Sequence, residues 1–174
     1  VRQLLYVIGI PGSGKSSLVA ELVRGRRRRV HPKPFAHTIY EDGLVQLGRE
    51  REGHSGTDAL SMSVMPYVLA ALDTGVWPRV LAEGDRLANQ GFFQGVRSAG
   101  YLLTVVLLDT PPEVAAERRA ARGTTQNEAW VRGRVTKIDR LAGSATLCLD
   151  GTRPLEELAA LLANHHATAF VLRP

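Results

Sequence analysis

The stretch GIPGSGKSS, Gly9 to Ser17, holds the residues of this chain best suited to chemistry. It fits the spacing G-x-x-x-x-G-K-[ST], with Gly9, Gly14, Lys15 and Ser16 in place. The apolar run LLYVI enters it and the helical pattern SSLVAELV leaves it. Glycines at 9, 12 and 14 let the backbone turn so that successive N–H groups, Ser13 and Ser17 among them, converge on an anion at a helix N-terminus. In such a cradle Lys15 reaches the terminal phosphates of a nucleoside triphosphate, and the Ser16 hydroxyl ligates Mg2+.

Two further groupings speak to what happens to that phosphate. RVLAEGDR sets Glu83, Asp85 and Arg86 where a strand opens into a cleft. A carboxylate there ligates Mg2+ through water, the role assigned to Asp85 beside Ser16, or takes the proton of an attacking hydroxyl. The alternative is a solvated loop acid. In DTPPEVAAERRAARG, Arg118 and Arg122 are four apart on one helix face, with Arg119 at its edge. Guanidinium groups so placed stabilise charge on a phosphoryl group in transit. After the link GTTQN come Arg132 and Arg134. Arginines on two helices flanking a polar link suit a lid over about 112–140, which excludes water during transfer. A solvated face is the other reading.

The acceptor region is expected over about 40–75. It offers Tyr40, Glu41, Asp42, Arg49, Arg51, His54, Thr57 and Asp58. Arg49 and Arg51 either clamp a phosphate or belong to a solvated Arg-Glu face. Asp58 either caps the next helix or binds a hydroxyl or base edge. Asn89 and Gln90 precede Phe92 and Phe93, a combination that suits reading and stacking on a nucleobase, or simple core packing. His165 and His166 have no metal-ligand company and read as surface residues.

The elements that must position these groups alternate between strand and helix. Strands are expected at 3–9, 36–41, 79–85, 101–109 and 145–149. Helices are expected at 15–24, from Pro112 to a stop at Gly123, over 127–142, and from 154 onward, with 43–75 mostly helical. This alternation predicts one α/β domain over 1–174: a three-layer sandwich around a five-stranded parallel sheet, with the chemistry at its carboxyl edge. Arg24 to Arg29 either complement a helix dipole or bind polyphosphate.

Composition sets bounds. The chain has 174 residues and a net charge of +5, with nineteen arginines against three lysines, which suits phosphate-bearing partners. No apolar run is long enough for a membrane span, and a strand starting this early leaves no room for a signal peptide. The single cysteine, Cys148, sits in ATLCLD and reads as a core residue. An intracellular, cytoplasmic protein is expected. No motif sets an oligomeric state.

GIPGSGKS, the EGDR segment, and D-x-P-P-E-x-x-x-x-R-x-x-x-R from Asp109 to Arg122 together resemble the small P-loop kinases of the nucleoside monophosphate kinase group, thymidylate kinases among them. The resemblance spans about residues 3–163. It implies a sheet order of 2-3-1-4-5, a lid after the fourth strand, ATP and Mg2+ as cofactors, and phosphoryl transfer to a nucleotide or nucleoside-like acceptor. Two other readings stay open. One is transfer to a nucleic-acid hydroxyl, at a polynucleotide end or a hydroxymethylated base of viral DNA. The other is an ATPase or switch without transfer. Leu87 stands where thymidylate kinases carry an aromatic residue, and 40–65 matches no acceptor motif.

Overall fold

Strand β1 (Arg2–Ile8) is apolar on both faces, and this decides the architecture. Leu4, Tyr6 and Ile8 enter one buried cluster, while Leu5 and Val7 enter another. A strand buried on both sides needs helices on both sides. In the computed structural model, which describes residues 1–49, 55–124 and 126–164, it has them.

The first face carries α2 (Met65–Asp73), α3 (Gln90–Ser98) and the root of α5 (Glu128–Leu141), through Val68, Leu72, Phe92, Val96, Ile138 and Leu141. The second carries α1 (Lys15–Leu22) and α6 (Leu155–Asn164), through Leu18, Leu22, Leu158 and Leu162. Each fully buried leucine contributes about 1.5–3 kcal/mol relative to exposure. The remaining elements are β2 (Arg28–His31), β3 (His37–Tyr40), β4 (Leu44–Leu47), β5 (Arg79–Glu83), β6 (Tyr101–Asp109), α4 (Pro112–Ala121) and β7 (Leu147–Asp150).

The sheet has seven strands, not five, in the order β2-β3-β4-β5-β1-β6-β7. From β4 to β7 all neighbours are parallel, and β2 and β3 add antiparallel at the edge. Counted in chain order, the parallel strands run 2-3-1-4-5. The second of them, however, is 44–47, a segment expected to be helical; the strand expected at 36–41 is an arm of the antiparallel hairpin. Strand β4 is only four residues long, between Gly43 and Gly48, both at positive φ. So short a piece shows no period of its own. Strand β2 was hidden by its arginines, because an edge strand carries exposed charge where an inner strand carries apolar groups. Cys148 is exposed on β7, the last strand of the sheet, and is not a core residue.

The phosphate loop leaves β1 between β5 and β6, at the carboxyl edge where the neighbouring connections part. No helix among the described residues is long and apolar enough to cross a membrane.

Candidate active site

The cradle is built by backbone shape. Gly12 and Gly14 have φ of 89° and 100°. A Cβ on Gly12 would stand 2.3 Å from the Ala115 carbonyl oxygen, so α4 can pack against the loop only if residue 12 is glycine. Gly14 is the left-handed residue from which α1 starts. Helix α4 then grips the loop from outside. Arg118 Nη1 donates to the Ser13 carbonyl at 3.1 Å, Thr110 Oγ1 donates to the same oxygen at 3.2 Å, and Arg119 donates to the Pro11 carbonyl. Ser13 is fully buried, and its Oγ has no hydrogen-bond partner among the described residues.

Lys15 folds back over the loop, its Nζ donating to the carbonyls of Gly9 at 2.8 Å and Ile10 at 3.1 Å. Burial lowers its pKa, opposed by the nearby carboxylates of Glu83 and Asp58. The Ser16 hydroxyl donates to Glu83 Oε1 at 3.0 Å, and Ser55 Oγ lies 2.7 Å from Ser16 and 3.2 Å from the same carboxylate oxygen. Glu83 is 3% exposed, and its burial raises its pKa against the pull of Lys15 and the two serines.

The turn after β5 is held from two sides. Asp58 Oδ1 accepts the backbone N–H of Asp85 at 2.8 Å and of Arg86 at 3.0 Å. The buried Tyr6 hydroxyl donates to the Gly84 carbonyl at 3.0 Å and lies 3.2 Å from Thr57 Oγ1. Asp58 thus ties two loops together and caps no helix. Asp85 faces α5: it pairs with Arg134, and Lys137 Nζ lies 3.1 Å from its Oδ1 and 2.7 Å from its backbone carbonyl. The carboxylate beside Ser16 is therefore Glu83, not Asp85.

Two cavities flank the cradle. The larger, about 640 Å³, is bounded by Gly9, Gly12, Lys15 and Ser16 on one wall and by Asp58, Glu83, Asp85 and Arg86 on another. Arg119, Arg122 and Arg134 from α4, its end and α5 complete it. The smaller, about 410 Å³, lies between Gly12–Gly14 with Ser17, the Arg118 and Arg122 side chains, and the start of α6.

Other expected site residues stand elsewhere. Asp42 lies in the β3–β4 turn at the amino edge of the sheet, held by Arg26 and by Arg79 at 3.4 Å. Phe92 is fully buried with its ring edge-on to Tyr6, so it cannot stack on a base. Asn89 spends its side chain capping α3, accepting from Phe92 N at 2.8 Å. Arg132 is exposed and pairs with Glu128 at 3.6 Å. Arg49 is exposed, its backbone bridged to Gly56, and it does not line the cleft. Arg51, His54, His165 and His166 lie outside the described residues.

Sequence reasoning missed Ser55, Trp130 and Lys137, and left Arg119 at the margin. Trp130, Arg134, Lys137 and Ile138 recur at helical spacing, a signal that could have drawn them together. Ser55 has no such signal, because its partners Ser16 and Glu83 are distant in sequence.

No curated protein matches the chain in sequence. In fold it is similar to a shikimate kinase from Aquifex aeolicus at 20% identity and TM-score 0.55, covering 96% of this chain and 98% of that one. A sugar kinase from Janibacter sp. gives 18% and 0.57, over 99% and 100%. A deoxyadenosine kinase from M. mycoides gives 12% and 0.50, over 95% and 100%. Identities this low establish the fold alone. The likeness is to P-loop kinases generally; the finer one to thymidylate kinases rests on the sequence motifs. The family model described as P-loop Nucleotide Kinase3 matches residues 1–151, most of the chain. The chain therefore belongs to the P-loop Nucleotide Kinase3 family and is a P-loop kinase.

Proposed function

We propose that this kinase moves the γ-phosphoryl group of ATP to a nucleotide or nucleoside-like acceptor. The observation that carries the reading is the placement of two cavities on either side of one cradle, with Gly12 and Arg122 bordering both and the Ser16–Glu83 pair on the wall of the larger. The residues fit the cofactors. Ser13 keeps a buried hydroxyl without a partner among the described residues, in a loop whose positive-φ glycines at 12 and 14 turn it into the start of α1. Ser16 and Glu83 offer a hydroxyl and a carboxylate 3.0 Å apart, a donor set that suits a cation keeping most of its water. Mg2+ would be held there, by Ser16 directly and by Glu83 through water, and when bound it neutralises charge on the phosphate oxygens.

The chain's own groups then divide the work. Lys15 leaves the loop carbonyls for the phosphates, while Arg118 and Arg119 keep the loop in shape. The smaller cavity takes the base and sugar of the donor, and the larger takes the acceptor. Arg122, which borders both, stabilises charge on the phosphoryl group as it passes. Where the acceptor attacks through a hydroxyl, a carboxylate on the acceptor wall takes its proton as the new O–P bond forms and the bond between the γ-phosphorus and the β–γ bridging oxygen breaks, leaving ADP. An acceptor phosphate oxygen attacks without a proton to remove. Asp85 is engaged by Lys137 and Arg134. Asp58 uses Oδ1 for two N–H groups and keeps Oδ2 without a hydrogen-bond partner among the described residues, so Asp58 is the better-placed base.

A nucleic-acid hydroxyl is the second reading, favoured by Arg27 and Arg29, which stand exposed beside and on the edge strand β2. ADP formation measured with nucleosides, nucleoside monophosphates and DNA oligomers separates the cases. Dependence on the small acceptors supports the first reading. Dependence on DNA, with affinity falling steeply as salt rises, supports the second. ADP with free phosphate and no labelled acceptor would mean hydrolysis.

A further inference from the structure

The larger cleft is walled mostly by charged side chains and loop backbone, yet one large aromatic ring faces it. Trp130, in the first turn of α5, lines the cavity and is 40% exposed. Exposed apolar rings are common on protein surfaces, but this one has a charged partner. The Arg134 guanidinium, one turn along, sits 5.0 Å from the indole centroid and is itself anchored on Asp85. Ile138, a further turn along, is buried in the core and roots the same helix face. Trp130, Arg134 and Ile138 thus lie one turn apart on the same stretch of α5, with the indole set against the Arg134 guanidinium and open to the cavity. Arg86, also lining this cavity, keeps a buried Nε with no hydrogen-bond partner among the described residues. A donor left so is costly unless something arrives to accept from it.

A flat apolar face paired with an unsatisfied donor matches a ligand that is flat and has acceptors on its rim. We propose that Trp130 is the stacking platform for a planar heteroaromatic ring on the acceptor, with Arg86 donating to an edge oxygen or nitrogen, so that Trp130 selects nucleobase-bearing acceptors over ring-less or saturated ones. This rests on the kinase reading above and adds the residue that sets its substrate class. Stacking works for any base because every base has a π face, so Trp130 confers class selectivity and leaves the choice among bases to edge contacts. The cavity volume, about 640 Å³, lies within the range of small-molecule sites and leaves room for an acceptor beside the transferred phosphate.

Tryptophan fluorescence tests it directly, since the chain has two tryptophans and Trp77 packs against Phe35 and His37, outside the cleft. The full chain, carrying Trp77→Phe so that Trp130 alone reports, is saturated with Mg2+ and a non-hydrolysable ATP analogue. It is then titrated with adenosine, cytidine, thymidine and their 5′-monophosphates, and separately with gluconate and shikimate. At least one nucleoside or nucleotide is expected to quench Trp130. Its binding, followed by calorimetry in the natural background, is expected to weaken roughly 10- to 100-fold in Trp130→Leu and to recover largely in Trp130→Phe. The inference is overturned if no base-bearing compound moves the Trp130 signal, if Trp130→Leu binds them as tightly as the natural chain, or if gluconate or shikimate is what binds. Analogue binding, measured first by calorimetry, separates the two levels. Its failure removes the kinase reading as well; its success with any of the overturning results removes only the role of Trp130.

Discussion

The Ser16 hydroxyl donates to Glu83 Oε1 at 3.0 Å, joining the first turn of α1 to the last residue of β5 next to the half-buried Lys15. A loop that only bound anions would have no use for a buried carboxylate at that point. Glu83→Gln keeps the size and an accepting oxygen but removes the charge. Calorimetric ATP binding is expected to lose its dependence on Mg2+, and turnover is expected to fall about 100-fold or more. If Mg2+ dependence survives unchanged, the cation role moves to Asp85.

Asp58 serves two purposes that substitution can separate. Asp58→Ala strands the N–H groups of Asp85 and Arg86, a cost of about 1–3 kcal/mol, or roughly 2–4 °C of Tm per kcal/mol for a chain of this size. Asp58→Asn keeps one accepting oxygen and is expected to melt near the natural chain. As the proposed base it would still lose turnover by about 10²–10⁴-fold. Thermal melts read beside steady-state rates check both halves.

Gly12 and Gly25 both lie at positive φ, 89° and 76°, but a Cβ meets the Ala115 carbonyl only at Gly12 and nothing within 4 Å at Gly25. Gly25→Ala is expected to cost about 1 kcal/mol from backbone strain alone. Gly12→Ala is expected to cost more and to weaken ATP binding about 100-fold, because α4 must retreat from the loop it clamps. Denaturant melts and ATP titrations of the two variants give the comparison.

His37 is buried in the β2–β3 hairpin with its ring stacked on His31, centroids 5.0 Å apart. Burial holds its pKa below the ordinary 6.5, and His31 adds to the effect. A base with a depressed value is neutral in the fold, and protonation favours the unfolded chain. Its contribution is therefore full above about 6.5 and is lost as pH falls through the lower folded value. Tm is expected to fall between pH 7 and pH 5, and His37→Phe is expected to flatten that fall.

The parts of the site that can be read from sequence are those made by neighbours in the chain. Gly12, Gly14, Lys15 and Ser16 fall within five positions and need only a strand before and a helix after. Glu83, Asp85 and Arg86 reach the cleft because they end a strand next to β1, which the apolar run RVLAE announces. Their separate duties could not be read, since these depend on Ser16, Ser55, Arg134 and Lys137, brought near only by folding. The same limit explains Phe92 and Asn89. An amide before two aromatic residues looks like a base reader, but Tyr6 from β1 takes the ring as a core partner and the cap takes the amide. Strands β2 and β4 escaped because one is covered in arginine and the other is too short to show a period.

In the proposed reaction, phosphate held at the Lys15 cradle is handed across to a second molecule in the larger cleft. Incubation with ATP labelled at the γ-phosphate, together with nucleosides and nucleoside monophosphates, followed by separation of the products, tests it most directly. Label should appear on at least one acceptor, and Lys15→Ala should abolish it. Label found only in free phosphate, at the same rate with and without acceptor, would contradict the account.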